Sequence, residues 1–274
     1  MQRDNGREVE RLRRRYLDLM KRALTHTLYR PMDVRWDESQ YVGDEEMKAA
    51  VVEELSKEDF DWVKIRTDGR DWPHYAQTMV GMKRLDNVER CVAQALADDV
   101  PGDLVETGVW RGGVAIFMRA ILDAYDDRDR LVFAADSFQG LPPPDTDSFP
   151  ADAGNRLHAA KALCVTRAEV EQNFALYGLL DERVRFVEGW FKDTLPQLHD
   201  HAWSVIRLDG DMYESTMEAL THLYPGLSAG GFLIVDDYTY EPCRRAVEDY
   251  REAHGIREPV VPIDWLGAFW RRGS

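Results

Sequence analysis

The sequence predicts an α/β fold with a doubly wound parallel sheet and helices on both of its faces. Two observations support this: apolar runs alternate with amphipathic helical segments, and two of the apolar runs end in paired acidic residues. Ligands in such sheets bind beyond the carboxyl ends of the strands, near the point where the strand order reverses. The acidic pairs therefore lie where a ligand site is expected.

The predicted elements run from the middle of the chain to its end. Buried strands are predicted at residues 104–108, 131–136, 184–188, 204–208 and 231–235, with a closing antiparallel pair at 260–263 and 267–272. Helices are predicted at residues 78–96, 111–125, 213–224 and 242–252. Thr166 and Glu169 form a capping box for a further helix that stops at Gly178. Residues 137–155 predict a loop, and residues 228–231 predict a turn.

We interpret residues 1–75 as an N-terminal helical extension and residues 76–274 as the α/β domain. Residues 7–24 carry apolar side chains at helical spacing, which predicts a helix that docks on the body or on a second subunit of a homo-oligomer. Residues 31–75 are acidic and rich in Trp and Tyr, with short helices at best, such as Asp44–Leu55. A lid over a site and a plain surface excursion both fit this segment.

Bulk properties exclude several classes of partner. The chain has 274 residues, 44% of them hydrophobic, and its net charge of −15 argues against nucleic acid or an anionic membrane surface. No stretch of uncharged apolar residues is long enough to predict a membrane span. Cys91, Cys164 and Cys243 are scattered, which predicts reduced, buried thiols in a cytoplasmic protein.

The acidic pairs predict a metal site. Asp209-Gly210-Asp211 and Asp236-Asp237 each follow a predicted strand, and a single helix separates the two strands. Such a unit makes the strands parallel and brings their carboxyl ends to one edge. Four carboxylates at one edge repel one another unless a cation lies among them, and Mg²⁺ is the hard divalent ion expected there. These residues could instead form turns, and Asp211 could cap the helix that follows it.

A second set of residues predicts a nucleotide-type ligand. The first strand ends in the sequence Glu106-Thr107-Gly108-Val109-Trp110-Arg111-Gly112-Gly113, which lets the backbone turn sharply but lacks the dinucleotide pattern G-x-G-x-x-G. Glu106 is suited to an ammonium or sulfonium charge, and Asp136, at the end of the second strand, to a ribose diol. Together they indicate S-adenosylmethionine.

With these motifs the chain resembles the macrocin O-methyltransferase family, Mg²⁺-dependent sugar O-methyltransferases of antibiotic biosynthesis. The resemblance runs from about Tyr16 to Arg272 and is carried by the following segments: 16–22, 78–85, 106–113, 136–140, 189–194, 209–211 and 236–238. It implies a Rossmann-like class I methyltransferase sheet of seven strands, the last one antiparallel. Residues 31–75 depart most from the family, which leaves the acceptor open.

The resemblance also implies roles for individual residues. Asp209, Asp236 and Asp237 correspond to metal ligands, and Asp211 corresponds to the general base. The cofactor pocket corresponds to Thr78, Met79, Glu106, Thr107, Gly108, Val109, Trp110, Asp136, Ser137, Phe138, Gln139, Gly140, Trp190, Phe191 and Asp209.

We therefore expect an O-methyltransferase that uses S-adenosylmethionine and Mg²⁺ to methylate a deoxysugar hydroxyl of a small-molecule glycoside. Methylation of a catechol or another phenolic diol is the nearest alternative, because the same metal chemistry serves both acceptors. A non-catalytic S-adenosylmethionine-binding protein is a second alternative, for which a degraded acidic cluster would be expected.

Overall fold

The computed structural model describes residues 2–29 and 61–273. The short helix predicted at Asp44–Leu55 and most of the possible lid lie outside the described residues.

A seven-stranded sheet forms the centre of the molecule, and its strands are β1 (Asp103–Thr107), β2 (Val132–Asp136), β3 (Val184–Glu188), β4 (Trp203–Leu208), β5 (Leu227–Val235), β6 (Val261–Pro262) and β7 (Ala268–Arg271). The strand order is β3-β2-β1-β4-β5-β7-β6. Strands β1 to β5 are parallel, and β7 is antiparallel to both of its neighbours. The predicted doubly wound sheet with an antiparallel last strand is confirmed. Since Thr107 pairs with Leu208 and Leu208 with Val235, three central strands end level with one another.

Helices cover both faces of the sheet, and those in the described ranges are α1 (Gln2–Leu24), α2 (Trp62–Asp68), α3 (Met82–Ala97), α4 (Gly113–Ala124), α5 (Arg167–Leu176), α6 (Phe191–Thr194), α7 (Tyr213–Leu223) and α8 (Glu241–Ala253). Alternate residues of a strand point to opposite faces. Accordingly Leu104 packs in one core cluster with α1, α3, α4 and α5, and Val105 packs in the other with α7 and α8. No helix of residues 2–29 and 61–273 is both long and apolar enough to cross a membrane.

The N-terminal helix α1 packs on the body of the protein along only part of its length. Leu17, Met20 and Leu24 of α1 are buried in the core cluster that contains α4, so the helix docks on the body as expected. Val9 and Leu12, nearer its N-terminus, are about half exposed, at 49% and 54%, which leaves the predicted homo-oligomer open.

Three local predictions are wrong. The helix predicted from residue 78 begins only at Met82, because Gly81 has an extended backbone at the N-cap position and the N–H of Val80 donates to the hydroxyl of Thr78 at 3.0 Å. Residues 228–231 belong to β5 instead of a turn, since the backbone of Gly230 and Gly231 exchanges hydrogen bonds with Arg272. Cys164 is exposed, although Cys91 and Cys243 are buried thiols as predicted.

Candidate active site

A cavity of about 980 Å³ lies at the carboxyl ends of β1, β2, β4 and β5. It is where the sequence predicts a ligand site, and its wall contains most of the predicted site residues. Those that line it are Thr78, Met79, Glu106, Gly108, Val109, Trp110, Asp136, Ser137, Gly140, Trp190, Phe191, Asp209, Asp211, Asp236 and Asp237.

Three predicted cofactor residues do not line the cavity. Thr107 is buried within β1, and Phe138 packs in the core against Phe186, with ring centroids 6.2 Å apart. Gln139 is exposed, and its backbone N–H donates to the hydroxyl of Ser137 at 2.9 Å. These residues shape the strand and the turn beside the cavity.

Gly108 allows the turn after β1 to pass beside β4. Its φ is +78°, in the left-handed region, and a Cβ atom there would lie 1.6 Å from the backbone oxygen of Asp209. No side chain fits in that space, so only glycine allows the two strand ends to approach this closely.

Asp136 holds together the turns that follow β1 and β2. Its Oδ2 accepts a hydrogen bond from the N–H of Val109 at 2.8 Å, and its Oδ1 accepts one from the N–H of Phe138 at 2.7 Å. Burial raises the pKa of this carboxyl group despite these hydrogen bonds. Asp136 therefore orders the nucleotide-type turn from the cavity wall.

Three carboxylates meet at the ends of β4 and β5. Oxygen atoms of Asp209, Asp211 and Asp237 all lie within 4.8 Å of one another. Burial raises the pKa of Asp209 to about 6 and that of Asp211 to about 7, and it raises the pKa of Asp237 well above its ordinary value. Oδ2 of Asp237 is buried and has no hydrogen-bond partner among the described residues. Clustered, desolvated carboxylates with an unpartnered oxygen fit a hard divalent cation.

Asp236 has a different environment from its neighbour in the sequence. Arg207 contacts one of its carboxylate oxygens and Arg84 the other, and both guanidinium groups are buried. Burial alone would raise the pKa of Asp236, but the two arginines lower it below its ordinary value. This carboxylate is therefore fixed in its anionic form.

Arg207 also connects the metal-type cluster to the cofactor-type turn. Its Nη1 lies 2.5 Å from Oε1 of Glu106 and 2.8 Å from Oδ2 of Asp209. Burial nevertheless raises the pKa of Glu106 to about 8, and its Oε2 has no hydrogen-bond partner among the described residues. One oxygen of Glu106 is thus left for a ligand in the cavity.

Sequence reasoning missed both arginines. Arg207 is a charged residue inside the apolar run of β4, and buried charges need partners. A charged residue within this otherwise largely apolar strand was the signal that could have identified Arg207 as part of the site. Arg84 gave no comparable signal, because α3 carries two other basic residues, Lys83 and Arg90, and both are exposed.

The wall of the cavity is completed by segments far apart in the chain. The indole N–H of Trp110 donates to the backbone oxygen of Ala162 at 2.7 Å, which ties the turn after β1 to residues 141–163. The indole N–H of Trp265 donates to the oxygen of Asp68 at 2.9 Å, and the guanidinium of Arg70 lies 4.6 Å from the Trp265 ring centroid. These contacts make an aromatic and basic rim.

This strand order, with a ligand cavity at the carboxyl edge and acids at the ends of β1 and β2, defines a Rossmann-like class I methyltransferase, whose methyl donor is S-adenosylmethionine. The family model described as Macrocin-O-methyltransferase (TylF) matches residues 13–272. The chain belongs to this macrocin-O-methyltransferase family and is an O-methyltransferase.

Individual relatives are similar over nearly their whole length. The chain is 51% identical to an 8-demethyl-8-(2,3-dimethoxy-alpha-L-rhamnosyl)-tetracenomycin-C 4'-O-methyltransferase of Streptomyces olivaceus, over 93% of this chain and 92% of the relative. It is 48% identical to a mycinamicin III 3''-O-methyltransferase of Micromonospora griseorubida, over 94% and 96% respectively. The chain is also 44% identical to the O-methyltransferase NovP, whose solved structure matches it with a TM-score of 0.83. That match covers 96% of this chain and 100% of NovP.

Proposed function

We propose that this protein is a Mg²⁺-dependent O-methyltransferase that acts on a deoxysugar hydroxyl of a glycosylated natural product. The observation that carries the proposal is the carboxylate cluster of Asp209, Asp211 and Asp237 in the wall of the donor cavity. The names of the two relatives support the acceptor class, because both describe methylation of natural products and one specifies a rhamnosyl group.

Asp209, Asp236 and Asp237 are the residues that we propose hold Mg²⁺. Asp209 and Asp237 belong to the carboxylate cluster, and Asp237 has an unpartnered buried oxygen. Asp236 is outside that cluster, and it is anionic because the two arginines that contact its oxygens lower its pKa. Three acids on adjacent strand ends supply the oxygen ligands that Mg²⁺ prefers. When bound, Mg²⁺ acts as a Lewis acid that lowers the pKa of a hydroxyl group.

Asp211 is the residue that we propose as general base. It forms no ion pair with an arginine or lysine among the described residues, and its pKa is raised to about 7, chiefly by burial. A general base works best when its pKa lies near the working pH. A carboxylate in the cavity wall that titrates near neutrality can accept the proton that the acceptor hydroxyl loses during methyl transfer.

The turn after β1 is the part that we propose holds the donor. The free Oε2 of Glu106 is suited to the ammonium group of S-adenosylmethionine. Asp136 lies in the same wall at the end of β2, where an acid accepts hydrogen bonds from a ribose. Trp110 and Trp190 line the same cavity and provide apolar surface for the rest of S-adenosylmethionine.

The acceptor hydroxyl is proposed to have a second oxygen on the adjacent carbon. In the tetracenomycin relative the methylated 4'-hydroxyl is next to a 3-methoxy group, as its name states. Two neighbouring oxygens would give the site two points at which to hold the sugar, and orientation of the reacting hydroxyl lowers the barrier to transfer. Trp72 and Trp265 also line the cavity, and we propose that their rings contact the aglycone.

A direct assay tests this function. The protein is incubated with S-adenosylmethionine, Mg²⁺ and one of three acceptors: mycinamicin III, the dimethoxyrhamnosyl tetracenomycin with a free 4'-hydroxyl, or catechol. We expect mass spectrometry to detect methylation of at least one glycoside, none of catechol, and none in excess EDTA. Methylation of catechol alone, or turnover unaffected by EDTA, would overturn the proposal.

Three further expectations remain proposals. The reduced thiols fit a cytoplasmic enzyme. Residues 69–72 contribute to the cavity wall, which supports a lid-like role for the end of the N-terminal extension. The exposed apolar side of α1 supports a homo-oligomer.

A further inference from the structure

The turn that carries Asp211 is held from outside its own segment. Asp211 has a φ of +56°, a left-handed conformation that is uncommon for a residue other than glycine. Helix α7 begins two residues later, and its N-cap residue Met212 makes no side-chain hydrogen bond to the helix. The first N–H groups of a helix have no partner within the helix and must find one elsewhere.

Asp152 provides those partners. Its Oδ1 accepts a hydrogen bond from the N–H of Tyr213 at 2.7 Å, and its Oδ2 accepts one from the N–H of Glu214 at 3.0 Å. The Asp152 side chain is fully buried, and it belongs to a 3-10 turn at Pro150–Asp152. Both oxygens of this buried carboxylate thus accept hydrogen bonds from the first two residues of α7, Tyr213 and Glu214.

The segment that carries Asp152 also forms part of the cavity wall. Leu141, Pro143, Arg156 and Leu157, which flank it in the chain, line the cavity. Two other helices, α2 and α5, are capped by the residue that precedes them: at α5 the hydroxyl of Thr166 accepts a hydrogen bond from the N–H of Glu169. At α7 the capping side chain comes from a distant segment whose flanking residues line the cavity, so this segment and the turn of Asp211 are mechanically connected.

We propose that Asp152 is a positioning residue for methyl transfer, which fixes the turn of Asp211 and couples it to residues 141–163. This inference rests on the proposed function of Asp211 as the base. Asp152 does not contact the reacting atoms; it sets where the Asp211 carboxylate lies when the wall is in place. Misplacement of a catalytic group by about 1 Å can lower a rate about a hundredfold.

The test compares Asp152→Asn with a matched control, Thr166→Ala. Asparagine keeps the shape of the side chain but offers one acceptor oxygen, so one of the two hydrogen bonds is lost. We expect kcat to fall about ten- to a hundredfold, with little change in acceptor KM or in the affinity for S-adenosylhomocysteine. Amide hydrogen exchange at residues 212–216 should become faster. Thr166→Ala removes a cap of α5 and should leave kcat unchanged, with faster exchange at residues 167–170 only.

The acceptor is whichever glycoside of the panel above the unmodified protein methylates. Equal losses of kcat in the two variants, or an unchanged kcat in Asp152→Asn, would overturn the inference. If neither glycoside is methylated, the proposed function fails separately and hydrogen exchange decides: faster exchange at residues 212–216 with unchanged S-adenosylhomocysteine affinity supports the role of Asp152, and unchanged exchange contradicts it. Asp152→Ser, which keeps one short acceptor, is used if Asp152→Asn does not fold.

Discussion

At the scale of single residues, two buried arginines together set Asp236 apart from the other acids of this site. Arg207 and Arg84 both pair with Asp236, Glu106 and Asp209 pair with Arg207, and Asp211 and Asp237 form no ion pair within the described part of the chain. Removing charges from water is costly, and an arginine offsets that cost only for the acids that it reaches. The site therefore combines a firmly anionic Asp236 with acids that ionise near neutral pH.

This division predicts how stability depends on pH. Burial raises the pKa of Asp209 to about 6 and that of Asp211 to about 7, so the folded protein favours their neutral forms. The stability from this preference is full below the ordinary pKa of about 4 and is lost as the pH rises through 6 and 7. We expect the Tm of metal-free protein to fall between about pH 5 and pH 8, and Mg²⁺ to raise the Tm more at pH 8, since ligands must be deprotonated. Thermal scans in EDTA measure the metal-free Tm, and scans in Mg²⁺ measure its increase on metal binding. A metal-free Tm that rises between about pH 5 and pH 8 would contradict the prediction.

At the scale of elements, the sequence predicts the sheet and its ligand edge but not every boundary. Apolar runs and acidic strand ends are local signals, so β1 to β5 and the carboxylate cluster could be predicted. The glycines of residues 228–231 predicted a turn because pairing with Arg272 is not visible in local composition. The roles of Arg84 and Asp152 likewise depend on contacts between residues far apart in the chain.

The turn after β1 gives a prediction at this scale. In Gly108→Ala the new Cβ would lie 1.6 Å from the backbone oxygen of Asp209. Gly178 also has a left-handed backbone, with a φ of +69°, but a Cβ added to it would meet no atom within 4 Å. Gly178→Ala should cost only the left-handed strain, about 1–2 kcal/mol of unfolding free energy. Gly108→Ala should cost at least about 3 kcal/mol, because the strand ends must also separate.

Denaturant unfolding of the two variants measures the difference, and calorimetry measures their affinity for S-adenosylhomocysteine. Loss of affinity in Gly108→Ala but not in Gly178→Ala is expected. Equal destabilisation of the two variants would show that the close approach to Asp209 is unimportant.

At the scale of the whole molecule, α1 leaves an apolar side uncovered within the described chain. Val9, Leu12 and Leu19 are about half exposed, at 49%, 54% and 54%. Exposed apolar side chains of this kind, among the charged residues on the exposed part of α1, form a candidate interface. We expect a homo-oligomer that Leu12→Glu or Leu19→Glu converts to monomers, as measured by light scattering after size exclusion. Arg11→Glu, a change of charge at a neighbouring exposed position, is the control and should leave the oligomer intact; a monomeric unmodified protein would contradict this prediction.

The carboxylate cluster is proposed to hold a divalent cation beside the methyl donor. Titration of Mg²⁺ into the complex with S-adenosylhomocysteine, followed by calorimetry, is the decisive experiment, with Asp237→Asn as the variant. We expect one Mg²⁺ to bind per chain, and Asp237→Asn to weaken binding at least about tenfold, because the amide removes a charged ligand. Absence of Mg²⁺ binding by the unmodified protein, together with methyl transfer that continues in EDTA, would contradict the account.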